Sequence, residues 1–247
     1  MIHGTSQAQI FIICLFTVPL ISVVMDGKPK PPPPRSQKLQ NEPVRVIEYP
    51  NFLTQEECHH FIELGKETGM KPALLVGKTN GVDIQDEART NTSAWLKHSH
   101  TDVTATVVKK IAEIVALPLI NAEQIQMIYY KPSEYYRAHF DGWKMPEDPK
   151  DRNEEERIIK ARYMDGQGGQ RLCTCLVYLN NVERGGGTQF VNLGRVVEPE
   201  AGKLLCFWNV FEGTNELHPD SLHAGLPVEE GEKWAFNLWF REKDARR

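Results

Sequence analysis

Four residues of this 247-residue chain have the types and spacing to do chemistry together: His139, Asp141, His223 and Lys233, an H-x-D pair, a distant histidine and a lysine ten residues beyond it. Two imidazoles and one carboxylate can occupy one face of a metal ion and leave the opposite positions open. That is the ligand set of a mononuclear iron oxygenase, which binds a bidentate 2-oxo acid and dioxygen side by side. A lysine nearby supplies a fixed cation for the distant carboxylate of such an acid.

H-x-D is a short pattern, and the chain holds three copies: His100/Asp102, His139/Asp141 and His218/Asp220. Context separates them, because residues i and i+2 share a direction on an extended strand and diverge by about 200° on a helix. His100-Thr101-Asp102 opens the run 103–116, where Val103, Val107, Ile111, Ile114 and Val115 recur at helical spacing, so Thr101 or Asp102 reads as a helix N-cap. His218-Pro219-Asp220 lies in a turn-rich loop, and Pro219 argues against a ladder position. His139-Phe140-Asp141 ends a strand-like stretch, 135–141, after a turn at 131–134. On that reading both side chains face one way.

The elements that must position these residues follow from capping and periodicity. Val44 to Tyr49 reads as a strand, and Thr54-Gln55-Glu56-Glu57 is a capping box opening a helix to about Thr68, with Gly69 as its stop. A second helix spans 102–116. Strand-like runs follow at 124–130, 135–141, 172–179, 187–191, 194–197, 203–208 and 233–241, separated by Gly, Pro and Asn turns. Strands without intervening helices point to an antiparallel double-sheet jelly roll. In the last run Lys233, Ala235, Asn237, Trp239 and Arg241 share one face, while Trp234, Phe236, Leu238 and Phe240 share the apolar other. A lysine aimed into a barrel is costly unless it meets an anion. The alternative, an edge lysine in solvent, stays open at this point.

Composition bounds the rest. A hydrophobic fraction of 40% and a charged fraction of 25% suit one globular domain with an N-terminal extension, and a formal charge of -4 excludes a global basic field for nucleic acid. We read 1–26 as a signal peptide or signal-anchor around the apolar run 10–25, 27–43 as a proline-rich linker, and 44–243 as the working domain. The expected location is the secretory pathway, in the endoplasmic reticulum lumen with a possible membrane tether through residues 10–25, or secreted if the segment is cleaved. Asn91-Thr92-Ser93 is a glycosylation sequon. Cys58, Cys173, Cys175 and Cys206 read as small buried hydrophobes. The charged stretch 145–169 reads as a surface excursion, either a lid or a plain solvated insertion.

Taken in order, Gln126-Met127-Ile128-Tyr129-Tyr130, Tyr136-Arg137-Ala138-His139-Phe140-Asp141, Gly168-Gly169-Gln170-Arg171, Tyr178-Leu179-Asn180-Asn181, Gly185-Gly186-Gly187-Thr188-Gln189-Phe190, Leu222-His223-Ala224-Gly225 and Gly231-Glu232-Lys233-Trp234 resemble the prolyl 4-hydroxylase family of iron(II) and 2-oxoglutarate dependent dioxygenases. The resemblance covers roughly Val44 to Glu242. It implies an α+β, mainly β fold: a double-stranded β-helix (jelly-roll) core with N-terminal supporting helices. It implies that His139, Asp141 and His223 hold Fe(II) and that Lys233 binds the far carboxylate of 2-oxoglutarate, with Tyr130 and Thr188 at positions that hydrogen-bond it. Trp239 matches a tryptophan lining the metal site, Tyr136 a tyrosine beside the peptide's proline, and Arg171 and Glu123 positions near bound peptide. The segment 89–96 resembles a mobile loop over the peptide groove, from which Arg89 contacts substrate.

The implied reaction is 4-hydroxylation of proline in a peptide or protein, consuming O2 and 2-oxoglutarate and releasing succinate and CO2, with ascorbate rescuing oxidised iron. Three departures concern substrate preference: the longer segment between Asp141 and Gly169, Arg241 where some relatives carry histidine, and Gly187 in place of a common acidic residue. Hydroxylation of another residue such as lysine, and a catalytically silent membrane-tethered peptide-binding scaffold, are the competing readings.

Overall fold

Period-two alternation along the strands separates two cores, one on each face of the main sheet. The computed structural model describes residues 42–76, 83–144 and 149–245. The N-terminal apolar run, the linker as far as residue 41 and residues 145–148 lie outside them. The strands are β1 (Val46–Tyr49), β2 (Lys71–Pro72), β3 (Leu75–Val76), β4 (Asp83–Ile84), β5 (Thr92–Leu96), β6 (Ile125–Tyr130), β7 (Tyr136–His139), β8 (Arg171–Tyr178), β9 (Arg184–Gly185), β10 (Thr188–Phe190), β11 (Arg195–Val197), β12 (Leu204–Trp208), β13 (His223–Gly225), β14 (Val228–Glu230) and β15 (Lys233–Arg241). The helices are α1 (Gln55–Thr68), α2 (Asp102–Val115) and α3 (Glu154–Ile159).

A seven-stranded sheet in the order β1-β12-β8-β15-β6-β5-β2 faces a four-stranded sheet in the order β11-β10-β13-β7, and the pairings are antiparallel. This is the jelly roll expected from the sequence. On one face of the large sheet, Met127, Cys175, Val177, Cys206, Phe236 and Leu238 pack with Phe61 and Leu64 of α1 and Val107, Val108 and Ile111 of α2. On the other face, Ile128, Leu176, Leu205, Phe207 and Ala235 meet Phe190 and Val197 of the small sheet. Helices α1 and α2 therefore support the sheet from behind. Burying a side chain such as Phe236 contributes about 1.5–3 kcal/mol.

Local chemistry fixes the helix ends. The Thr54 hydroxyl accepts from Glu57 N at 3.1 Å while Glu57 Oε2 accepts from Thr54 N at 2.9 Å, and Gly69 ends α1 at φ 81°. Thr101, not Asp102, caps α2, bonding reciprocally with Thr104.

Four expectations change. The strand expected to run to Asp141 ends at His139, and Asp141 sits in the following bend, drawn back by a hydrogen bond from Thr174. The segment 89–96 is largely strand: β5 is hydrogen-bonded to β6 on one side and β2 on the other, because Ala94 and Leu96 are needed in the helix-side core. Asn91 is fully buried, its Oδ1 accepting from Arg89 and its amide donating to Thr92 O, so the folded sequon presents no side chain to a glycan. The charged excursion contains a helix: an Asn153/Glu156 capping box starts α3, which continues as a wider helical turn over Lys160–Asp165. Cys58, Cys173, Cys175 and Cys206 are buried, as expected of small hydrophobes, and are free thiols. Among the described residues no helix is long and apolar enough to cross a membrane.

Candidate active site

Between the two sheets lies a cavity of about 620 Å³, lined at its inner end by His139, Asp141, His223, Thr188, Tyr130 and Lys233. His139 and His223 are Cα partners across β7 and β13, so the ladder register itself places the two imidazoles together, with centroids 4.3 Å apart. Each Nδ1 lies near a backbone carbonyl, His139 at 2.8 Å from Arg137 O and His223 at 2.9 Å from Ser221 O. Donation there fixes the proton on Nδ1 and leaves both Nε2 atoms as lone-pair donors.

Those Nε2 atoms stand 3.6 Å from Asp141, His139 from Oδ1 and His223 from Oδ2. The three side chains are the one group among the described residues whose ligand atoms, within 4.8 Å of one another, could hold a metal. Burial, reinforced by the neighbouring His139, pulls His223 down to about 4 and keeps it neutral. Burial of Asp141 is outweighed by the two imidazoles and the Arg171 guanidinium, which hold its carboxyl well below the usual carboxylate range. Two neutral imidazoles and a carboxylate are the donors a divalent iron takes, and the face they share opens onto the cavity.

The far wall of the inner end suits a dicarboxylate. Lys233 is 3% exposed, pairs in register with Tyr130, donates to Gly186 O at 2.6 Å, and has its Nζ 5.2 Å from the ring centroids of both Tyr130 and Tyr178. Burial lowers its ammonium to about 7, with Glu198 opposing. An anion in the cavity would restore the charge, which is the fit expected of a 2-oxoglutarate carboxylate. Burial pushes Tyr130 up to about 12, so its hydroxyl remains a donor. Thr188 Oγ1 lies 2.6 Å from Tyr178 Oη.

Toward the mouth, Arg171 makes two hydrogen bonds to Glu123, at 2.6 and 2.9 Å, and lies 3.9 Å from the Trp239 ring centroid. Glu123 also accepts from Arg241 Nε at 2.6 Å. Tyr136 stacks on His139 at 3.5 Å, and Arg89, 4.7 Å from the Tyr136 ring centroid, donates to Asn91 and Gln126. Every residue expected at the site from the sequence therefore lines this one cavity. The face parity read for β15 also holds, with Lys233, Asn237, Trp239 and Arg241 all lining it.

Sequence reasoning missed Thr174, Asn209, Tyr178 and Trp143. Thr174 carried a signal, a polar residue at an inward position between Leu172 and Leu176 on an otherwise apolar strand. Asn209 carried none, since it follows β12 in an irregular connection.

This geometry defines a class, the oxygenases that use Fe(II) and 2-oxoglutarate, and residues 125–241 match the 2OG-Fe(II) oxygenase superfamily. The chain is 31% identical over 215 residues to Prolyl 4-hydroxylase 5 of Arabidopsis thaliana, covering 79% of this chain and 68% of that one. It is likewise 31% identical over 193 residues to a putative prolyl 4-hydroxylase of Acanthamoeba polyphaga mimivirus, covering 78% and 72%. Among solved structures, the viral collagen prolyl hydroxylase of Paramecium Bursaria Chlorella virus-1, in its 2OG complex, superposes with a TM-score of 0.59 at 29% identity, covering 78% of this chain and 94% of that one. One Arabidopsis relative, Probable prolyl 4-hydroxylase 7, is spanned for only 64% of its length. The chain belongs to the prolyl 4-hydroxylase family.

Proposed function

We propose that the chain hydroxylates C4 of proline residues in a peptide or protein, using Fe(II), O2 and 2-oxoglutarate and yielding 4-hydroxyproline, succinate and CO2. The observation that carries this reading is the meeting of the His139/Asp141/His223 triad and the buried Lys233 in one cavity, since a metal-storing jelly roll has no use for the lysine. Fe(II), when bound, supplies the redox chemistry that couples decarboxylation of the 2-oxo acid to oxygen insertion at a C–H bond.

The chain's own residues orient and exclude. His139, Asp141 and His223 hold the metal from one side. Lys233, with the hydroxyls of Tyr130 and Thr188, fixes the far carboxylate of 2-oxoglutarate so that its reactive end points at the triad. Trp239 and Phe207 line the cavity, Phe207 with its ring centroid 4.7 Å from that of His223, and Tyr136, whose ring lies against His139 and Arg89, borders the place of the substrate's proline. Arg171, Glu123 and Arg89 border the peptide's path. Ascorbate is the reductant we assign to recovery of iron oxidised in unproductive turnovers. The apolar run 10–25 is the segment we assign to delivery into the secretory lumen, as signal or tether. Protease protection of the chain in microsomes tests that part.

The full reading is tested by incubating the chain with Fe(II), 2-oxoglutarate, ascorbate and either a Pro-Pro-Gly or a polyproline peptide, then locating added oxygen by fragmentation mass spectrometry. Oxygen on proline, absent without 2-oxoglutarate, is the expected outcome and ranks the two peptides. Oxygen on a lysine of a protein substrate and none on proline would replace the residue specificity. Absence of succinate under all conditions would put a silent scaffold in its place.

A further inference from the structure

Two of the three candidate metal ligands are held by one residue outside the cavity wall. Asn209 is fully buried just after β12. Its side-chain amide donates to Thr174 Oγ1 at 2.9 Å, and Thr174 Oγ1 in turn donates to Asp141 Oδ2 at 2.7 Å. A threonine hydroxyl has one hydrogen. Because it accepts from the Asn209 amide, that hydrogen is committed to the carboxylate. Asn209 Oδ1 has no hydrogen-bond partner among the described residues, so donation to Thr174 is what orients the amide. A flipped amide would compete with Asp141 for the single hydroxyl hydrogen.

The backbone of the same residue reaches the other ligand. Asn209 O accepts from His218 N at 2.8 Å, His218 O in turn accepts from the Ser221 hydroxyl at 2.7 Å and from Ser221 N at 3.1 Å, and Asn209 N donates to Leu172 O at 2.8 Å. Ser221 O is the acceptor for His223 Nδ1, at 2.9 Å. One buried asparagine thus meets the Asp141 carboxylate through Thr174 and the His223 imidazole through His218 and Ser221.

We propose that Asn209 and Thr174 are positioning residues that lock Asp141 and His223 in their metal-binding orientations, Asn209 being the residue through which the two are coupled. This rests on the reading of the triad as a metal site. It is tested with the full chain by titration with Co(II), following the visible d–d bands, and by thermal unfolding to establish that each variant is folded.

Thr174→Val keeps the shape and removes the hydroxyl, and Thr174→Ser keeps the hydroxyl. The expected result is about 10–100-fold weaker Co(II) binding and altered band positions for the valine variant, with serine restoring both. Asn209→Asp, isosteric but without the donor, is expected to weaken Co(II) binding comparably and covers the case in which the valine variant does not fold. Wild-type affinity in folded Thr174→Val or Asn209→Asp overturns the proposal, as does a serine variant no better than valine. A wild-type chain that takes up no Co(II) would overturn the metal reading beneath it.

Discussion

At the inner end of the cavity the functional side chains stand on or beside paired strands, and their partners are fixed by register: His139 opposite His223, Lys233 opposite Tyr130, Thr174 opposite Trp239. At the mouth Trp95, Arg171 and Trp239 still stand on the main sheet, and the rest of the lining comes from the two-residue β3 and the residue before it, a bend and the inserted helix. Leu74, Trp95 and Phe140 are 50%, 46% and 38% exposed, and Glu155, Ile159 and Arg162 reach the same cavity from α3 and the turn after it. The inner end is a rigid, buried arrangement whose geometry two sheets impose. The rim at Leu74, Phe140 and α3 is a set of half-exposed surfaces outside the two large sheets that can change without disturbing them. Fixed chemistry and variable selection are thereby assigned to different parts of one cavity.

Breaking the inner end should have the largest effect. Asp141→Ala is expected to bring 2-oxoglutarate consumption to background with the fold retained, since it removes a ligand and leaves the strands intact. Measurable consumption above background would mean that the triad is not the metal site. Lys233→Ala comes next. It deletes a buried charge-assisted hydrogen bond of about 1.5–3 kcal/mol, so KM for 2-oxoglutarate should rise by about 10–150-fold while kcat at saturation changes little. An unchanged KM would remove Lys233 from the cosubstrate site.

The same lysine gives a pH dependence. In the free protein its ammonium is lowered by burial to about 7, and a carboxylate bound beside it is expected to raise it. Above pH 7, then, 2-oxoglutarate binding must take up a proton, and affinity should fall by up to about tenfold per pH unit until the raised value is reached. Calorimetry in two buffers of different ionisation enthalpy at pH 8 reads the uptake directly. Equal apparent heats would show that the lysine is already charged before the ligand arrives.

Legibility in the sequence follows the same division. Strands with strict alternation, such as Lys233–Arg241, and helices with capping boxes, such as Gln55–Thr68, were readable with their faces, because one side had to meet a core. The grouping of His139, Asp141 and His223 was readable from context, since of the three H-x-D copies one closes a strand-like run and has a well-separated histidine and lysine downstream. The failures lie where tertiary partners decide. Asp141 does not share a strand with His139, and what turns its carboxylate inward is a hydroxyl distant in sequence. The sequon at Asn91 is a local pattern overruled by burial. Strands as short as His223–Gly225 and Val228–Glu230 have too few residues to show any period, and form because neighbours pair with them.

The mouth offers the smallest effect and the sharpest test of the division. Ile159, on the last turn of α3, faces the cavity with Glu155, and both belong to the segment that is longer than the resemblance led one to expect. If the insertion helps select the peptide, Ile159→Ala should raise KM for the peptide by no more than about fivefold, the effect of losing under about 1 kcal/mol at a half-exposed contact outside a hot spot. KM for 2-oxoglutarate and Co(II) affinity should stay at wild-type values, since Lys233 and the two histidines are placed by the register of paired strands and Asp141 by Thr174. A change in either would show that the insertion braces the inner end, and chemistry and selection would no longer be separable by region. An unchanged peptide KM would leave α3 as a solvated insertion and place selection on Trp95, Phe140 and the short strand at Leu75.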